Sequence, residues 1–198
     1  MTAALLLPPN MIRDTFAATG GAVVTEPWFS DKECAKIIRV AEREGNEPGK
    51  TGNGMVAKIS DYRRSRIHWL IDREKWKWAY DRIHHNISRI NRMTWKFDLR
   101  QPETIQFSRY DDYDKGHYDW HFDSTGSQQI ERKLSFSIQL SDPRYYDGGA
   151  LTLWPDNEMT RQRGCAIIFP SFQPHKVGPV ESNTRYSLVG WVLGPPFR

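Results

Sequence analysis

The chain has 198 residues, a formal net charge of +4 and 26% charged residues, a size that suits one domain with a sizeable core better than two full ones. With a mean hydropathy of −0.68, and no apolar run near the roughly 18 residues that a bilayer span needs, no membrane-spanning helix is expected in this sequence. Eight Trp, eight Tyr and nine Phe can supply much of a core, because each buried ring removes about 150–250 Å² from water. At the start, "MTAALLLPPN" lacks a basic leading region and its apolar stretch closes at Pro8-Pro9, so no signal peptide is expected. With only Cys34 and Cys165, reduced thiols in a cytoplasmic compartment are expected. Ser30 then opens "SDKECAKIIRVAEREG" with Glu33 three residues on, a capping box, and the helix should stop at Gly45 with Ile37, Ile38 and Ala41 buried. The segment 45–54, "GNEPGKTGNG", has the chemistry of a mobile loop. From Asp72 to about Arg92, the residues Trp76, Tyr80, Ile83, Ile87 and Ile90 recur at spacings of three and four, one apolar face of a long helix. His84 and His85 fall on its surface.

After residue 94 the pattern changes to short strands. "IQFSRY", "KLSFSIQL", "ALTLW", "CAIIF" and "YSLVGWVL" are separated by turn signals such as Asp142-Pro143 and Asp147-Gly148-Gly149. In "KLSFSIQL", Leu134, Phe136, Ile138 and Leu140 alternate with polar residues, a period of two. Helices followed by many short strands predict a mainly β, α+β fold with helices packed on a sandwich or barrel, and a jelly roll is the natural candidate. Residues 1–100 carry 18 Lys/Arg against 12 Asp/Glu, whereas residues 101–198 carry 10 against 12. The basic half is either a solvated helical face or a surface for nucleic acid or an acidic peptide.

The acidic residues Asp111, Asp112, Asp114, Asp119 and Asp123 cluster around "GHYDWHFD", which contains His-x-Asp twice, at His117/Asp119 and His121/Asp123. Side chains at i and i+2 of an extended chain share a face, so either pair can offer an imidazole and a carboxylate to a cation. Two His and one carboxylate on one face of a metal is the arrangement of non-haem Fe(II) oxygenases, with the other positions open to cosubstrate and O2. The third ligand should come from a later strand, and His175, which follows the apolar run 165–169, is the one His beyond residue 121. Ten residues on, Arg185 opens an apolar strand. A guanidinium pointed into the barrel needs an anion, and with no protein carboxylate in place for it, a ligand carboxylate is the economical partner.

Over roughly residues 104–193, "RYDDYDKGHYDWHFD…RKLSFSIQLS…YDGGALTLW…GCAIIFPSFQPHKVGPV…TRYSLVGW" resembles the Fe(II)- and 2-oxoglutarate-dependent oxygenases of the prolyl 4-hydroxylase type. A looser match precedes it in "VVTEPWFSDKECAKII" and "YRRSRIHWL". The resemblance implies a double-stranded β-helix (jelly-roll) core with N-terminal packing helices. It implies a single domain over 1–198, with 1–100 as helical support and substrate-access loop region and 101–198 as the catalytic core. It also implies the register: Tyr110, Gly116 and Tyr118-x-x-His121-x-Asp123 follow the family pattern, making His121, Asp123 and His175 the metal ligands. His117 and Asp119 then lie beside the site. By the same resemblance Arg185 would bind the distal carboxylate of 2-oxoglutarate, Tyr110 would donate a hydrogen bond to it, and Trp191 would line its pocket. Gln139 stands where some members have a Tyr. Arg64 and Trp69 match a segment flanking the substrate entrance, with Tyr118 on the substrate side, and 45–54 stands where such enzymes have a lid. Trp120, Phe122, Trp154 and Phe169 are available for an apolar cavity.

The implied reaction is hydroxylation of a prolyl residue in a peptide or protein. It uses Fe(II), O2 and 2-oxoglutarate, which decarboxylates to succinate, and ascorbate would stimulate it. The cofactor carries the redox chemistry and the protein positions it. Two alternatives stand beside it. One is the same chemistry on a nucleic acid, held by the basic half, or on a free small molecule. The other is a non-catalytic jelly-roll binding module, against which the intact His121, Asp123, His175 and Arg185 argue.

Overall fold

The computed structural model describes residues 21–51, 61–125 and 129–196. The stretch "MTAALLLPPN" and residues 52–54 of the expected loop lie outside them. Helix α1 (Asp31–Glu44) has Ser30 as N-cap with the reciprocal Glu33 contact, and stops where Gly45 takes φ 88°. Cys34, Ile37 and Ala41 are buried, and Ile38 only partly. Helix α2 (Arg73–Met93) is capped by the Asp72 carboxylate, which accepts from the Lys75 N–H. His84 and His85 lie exposed on its outer face.

The strands form two main sheets. The larger takes β1 (Val23–Val24), β2 (Glu47–Pro48), β4 (Arg66–Trp69), β5 (Gln106–Asp111), β7 (Arg132–Gln139), β11 (Ala166–Pro170) and β14 (Thr184–Leu193), in the order β1-β11-β7-β14-β5-β4-β2. The smaller takes β3 (Arg63–Arg64), β6 (His117–His121), β9 (Leu151–Leu153), β10 (Asn157–Glu158) and β12 (His175–Val177), in the order β10-β9-β12-β6-β3. A two-stranded ladder pairs β8 (Asp147–Gly148) with β13 (Val180–Ser182). The pairings are antiparallel, as a jelly roll requires. The first 100 residues therefore supply four strands as well as helices, and Glu47–Pro48 of the expected loop is one of them, paired with Arg66 and Ile67.

Period-two patterning sets the layers. Leu134, Phe136, Ile138, Leu188 and Ile168 of the larger sheet pack with Ile37 of α1 and with Trp76, Ile83 and Ile87 of α2. The opposite face meets the smaller sheet through Tyr110, Ile167, Phe169, Leu151 and Val177. The polar alternates Ser135, Ser137 and Gln139 of β7, with Ser108 of β5 and Arg185 and Ser187 of β14, are buried on that inner face. The helices thus take the apolar side of the large sheet, leaving its polar side for the interior.

Tyr80 ties α2 to this arrangement. Its hydroxyl donates to the Leu70 carbonyl at 2.9 Å and accepts from the Ile105 N–H at 2.8 Å, just before β5. Tyr80→Phe strands a buried donor and a buried acceptor together. It should lower unfolding free energy by about 1–3 kcal/mol in a denaturant titration with little change in slope.

Candidate active site

The site is built on one irregular strand pair. His175 of β12 lies directly opposite His121 of β6, but Val177 lies opposite Tyr118. Three residues of β12 (175–177) thus face four of β6 (118–121), a bulge that rephases the strand. Tyr118 and His121, three apart and on opposite faces of a regular strand, both turn inward and stack with ring centroids 3.6 Å apart. His117 turns away, its Nδ1 facing the Lys115 carbonyl at 2.8 Å and its Nε2 the Asp61 carbonyl at 2.9 Å. Asp119 is exposed and accepts the Trp120 N–H.

His121, Asp123 and His175 form one group whose ligand atoms lie within 4.8 Å of one another, the sole such metal-capable trio among the described residues. Asp123 Oδ2 is 3.3 Å from His175 Nε2, and Oδ1 is 3.8 Å from His121 Nε2. Each imidazole is oriented from behind. His121 Nδ1 faces the Asp119 carbonyl at 2.7 Å and His175 Nδ1 the Gln173 carbonyl at 3.0 Å. A donating Nδ1–H fixes the tautomer that leaves the Nε2 lone pair on the site. Ser135 Oγ donates to Asp123 Oδ2 at 2.7 Å, and the Asp123 and Ser124 N–H groups both donate to the Ser171 carbonyl.

Burial pushes His121 down to about 3, and a charge on His175 would push it the same way, so at neutral pH its imidazole is uncharged and able to ligate. For Asp123, burial acts upward but is outweighed by the two imidazoles and the Ser135 hydroxyl, which hold the carboxyl below the usual range. Among the described residues Asp123 has no Lys or Arg side chain paired with it. A buried carboxylate flanked by two imidazoles, with no Lys or Arg side chain paired with it, calls for a cation.

A cavity of about 600 Å³ opens in front of these three residues, lined also by Tyr110, Tyr118, Arg185, Ser187 and Trp191. Arg185 is 1% exposed. One guanidinium nitrogen donates to Gln139 Oε1 at 3.0 Å, while NH1 is buried without a partner, as are the hydroxyls of Ser137 and Ser187 on the same wall. The Arg185 stem passes Gly149, which adopts φ 62° and where a Cβ would come within 2.9 Å of Arg185 Cδ. Tyr110 faces Arg185 across the β14/β5 ladder, its ring 5.5 Å from the guanidinium carbon. Gln139 is not on the cavity wall; it lies behind Arg185 and orients it.

On the mouth side Trp69, Tyr118, Trp120 and Phe122 line the cavity, and Phe169 lies deeper. Trp154 is 58% exposed and packs edge-on against Trp120 outside the lining. Arg64 points out to Asp61 and the Asp114 carbonyl, and its neighbour Arg63 is the residue that lines the cavity, because adjacent strand residues face opposite ways. Arg132 was not singled out by any motif. It grips Glu103 through two nitrogens at 2.7 and 2.8 Å and covers the Trp191 ring at 3.7 Å. Its other amino group reaches toward the Asp123 carbonyl at 3.4 Å.

Residues 105–193 match the 2OG-Fe(II) oxygenase superfamily. A PKHD-type hydroxylase of Synechococcus sp. (strain CC9605) is 39% identical over 79 residues, 38% of this chain and 36% of that protein. One from Hyphomonas neptunium is 37% identical over 70 residues, 34% of this chain and 31% of its own. The chain spans less than half the length of the curated relatives it matches. The fold is that of a prolyl-4-hydroxylase from Pseudomonas putida, with a TM-score of 0.73 at 18% identity over 95% of this chain and 100% of that one. It is equally that of a Trichoplax adhaerens prolyl hydroxylase solved with a hypoxia inducible factor peptide fragment, with a TM-score of 0.75 at 18% identity over 93% and 88%.

The 2OG-Fe(II) oxygenase groups fit these residues. The carboxylate and two oriented imidazoles suit Fe(II), and the unpartnered Arg185 NH1 suits a cosubstrate carboxylate. Anaerobic calorimetry with Fe(II) or Mn(II) should find one site in wild type and in His117→Ala, and none in His121→Ala or Asp123→Ala. Ser135→Ala, which frees one Asp123 oxygen, should weaken the ion by about 10–100-fold.

Proposed function

We propose that this protein is a 2-oxoglutarate-dependent dioxygenase that hydroxylates a prolyl residue in a peptide or protein, with release of succinate and CO2. The observation that carries the reading is a single cavity holding His121, Asp123 and His175 on one wall and a buried, half-satisfied Arg185 on another. Bound there, Fe(II) with 2-oxoglutarate and O2 would supply the oxidation. The residues of the chain do the positioning. Arg185, oriented by Gln139, would hold the distal carboxylate through its unpartnered amino group, with Ser187 and Tyr110 beside it. Trp191, fixed under Arg132, walls the cosubstrate side. Trp69, Tyr118, Trp120 and Phe122 give the substrate an aromatic, water-poor approach, and aromatic-lined grooves suit proline-containing extended chains. The PKHD-type names of the relatives and the prolyl hydroxylase names of the structural neighbours support the substrate class.

Several cations of the basic half are engaged within the fold, as in Arg64–Asp61, Lys75–Glu44, Lys77–Asp81 and Arg82–Glu33. That favours a peptide over a nucleic acid as the substrate. Two free, buried cysteines support a cytoplasmic setting. No helix among the described residues is long and apolar enough to cross a membrane. Ascorbate is expected to raise turnover.

The test is succinate formation from 2-oxoglutarate with Fe(II), followed by a search for a hydroxyl mass gain on proline-containing peptides. Wild type should make succinate and Arg185→Gln should need about 10–100-fold more 2-oxoglutarate for half-maximal rate. A wild type that binds Fe(II) yet makes no succinate would turn the reading toward a non-catalytic module.

A further inference from the structure

Arg185 is not the only guanidinium in the cavity without a counter-charge. Arg63 of β3 is 8% exposed and lines the mouth. Its Nε donates to Ser65 Oγ at 2.8 Å, NH1 reaches the Lys50 carbonyl at 3.4 Å, and the guanidinium carbon sits 4.7 Å over the Tyr118 ring. Gly49 packs against it so tightly that a Cβ there would come within 2.7 Å of Arg63 Nε. The side chain is therefore held in place by neutral groups. Neighbouring arginines are matched differently: Arg64 pairs with Asp61, Arg109 with Glu42 and Asp111, and Arg132 with Glu103. Arg63 has no carboxylate within ion-pairing distance among the described residues, and residues 52–60, "GNGMVAKIS", contain no Asp or Glu in sequence.

Leaving a cation this buried without an anion is unfavourable unless something else brings one. The cosubstrate's distal carboxylate is accounted for by Arg185 in the proposed function, and Asp123 faces the two imidazoles. Among the residues lining the cavity the remaining charges at the mouth are Arg63 and Lys50, both positive, because Arg132 is neutralised by Glu103. Arg63 lies across a single ring, Tyr118, from the ligand His121. A group that pairs with it belongs to the substrate and sits close to the reacting carbon.

We propose that Arg63 binds a carboxylate of the substrate, so that the hydroxylated proline is flanked by an acidic residue or by the chain's own C-terminal carboxylate. This inference rests on the prolyl hydroxylase reading. It makes Arg63 a specificity-determining residue. The bond it forms is a charge-assisted one in a largely desolvated site, where geometry as well as charge is selected.

The experiment uses synthetic peptide pools with one central proline and randomised flanks, in which the residues on either side of the proline are fixed as Glu or as Gln. A third pool places the proline at the C-terminus as free acid or amide. Hydroxylation is read by mass for wild type, Arg63→Gln and Arg63→Glu, and the acid-to-amide ratio within each variant cancels differences in folded fraction. Wild type should prefer one acidic pool over its amide counterpart by about 10–100-fold, and the pool tells a side-chain carboxylate from a terminal one. The preference should collapse toward unity in Arg63→Gln and shift to Lys-flanked peptides in Arg63→Glu. Equal use of acid and amide by wild type, or an acid preference that survives in Arg63→Gln, overturns the assignment while leaving prolyl hydroxylation intact. Succinate formation with no proline in any pool hydroxylated overturns the prolyl reading and this inference with it.

Discussion

The pairing of β6 with β12 is the constraint on which the site depends. In an antiparallel ladder the residues directly opposite approach closely enough for their side chains to meet, and here the facing pair is His121 and His175. The extra residue in β6 then decides which other side chains join them. It brings Tyr118 onto the cavity face and turns His117 out toward backbone carbonyls. Asp123 follows just beyond the strand, where the Ser171 carbonyl fixes its backbone and Ser135 fixes its carboxylate. The chemistry of the site is in this sense a matter of register.

The large sheet makes the second contribution by being polar on the inside. Most sheets that carry one apolar face turn the other to water. Here α1 and α2 cover the apolar face, and the smaller sheet closes over the polar one, burying Ser108, Ser135, Ser137, Gln139, Arg185 and Ser187. Burying unpaired hydroxyls and a guanidinium opposes folding. The apolar layer under the helices, where Phe107, Phe136, Ile83 and Ile87 are essentially inaccessible, offsets that cost.

Much of this was legible in the sequence, for identifiable reasons. The helices announced themselves through a capping box at Ser30 and a three-and-four periodicity from Trp76 to Ile90, both local signals. The alternation in "KLSFSIQL" gave a strand but could not say that its polar side faces a cavity, since period two does not distinguish a wet face from a ligand-lined one. The two His-x-Asp pairs were equivalent by spacing alone, and the bulge that separates them is a property of pairing between distant segments. Adjacent Arg63 and Arg64 differ only in which face of a two-residue strand they occupy, so sequence resemblance pointed one position away from the residue on the cavity. Arg132 belongs to no motif. Its partners Glu103 and Trp191 lie far from it in sequence and meet it only in the fold.

Gln139 carries a consequence for which cosubstrates the cavity can accept. A carboxylate at that position would neutralise Arg185 and compete with the ligand for the same guanidinium edge. A neutral amide oxygen orients one amino group at 3.0 Å and leaves the full positive charge and the other amino group free. In the proposed function, a dicarboxylic 2-oxoacid would complete that guanidinium. A 2-oxoacid with only one carboxylate, such as pyruvate, would engage the metal side and leave a desolvated cation facing an empty end of the pocket. On that reading, discrimination between the two oxoacids would arise from the penalty of an unmet charge rather than from the shape of the cavity.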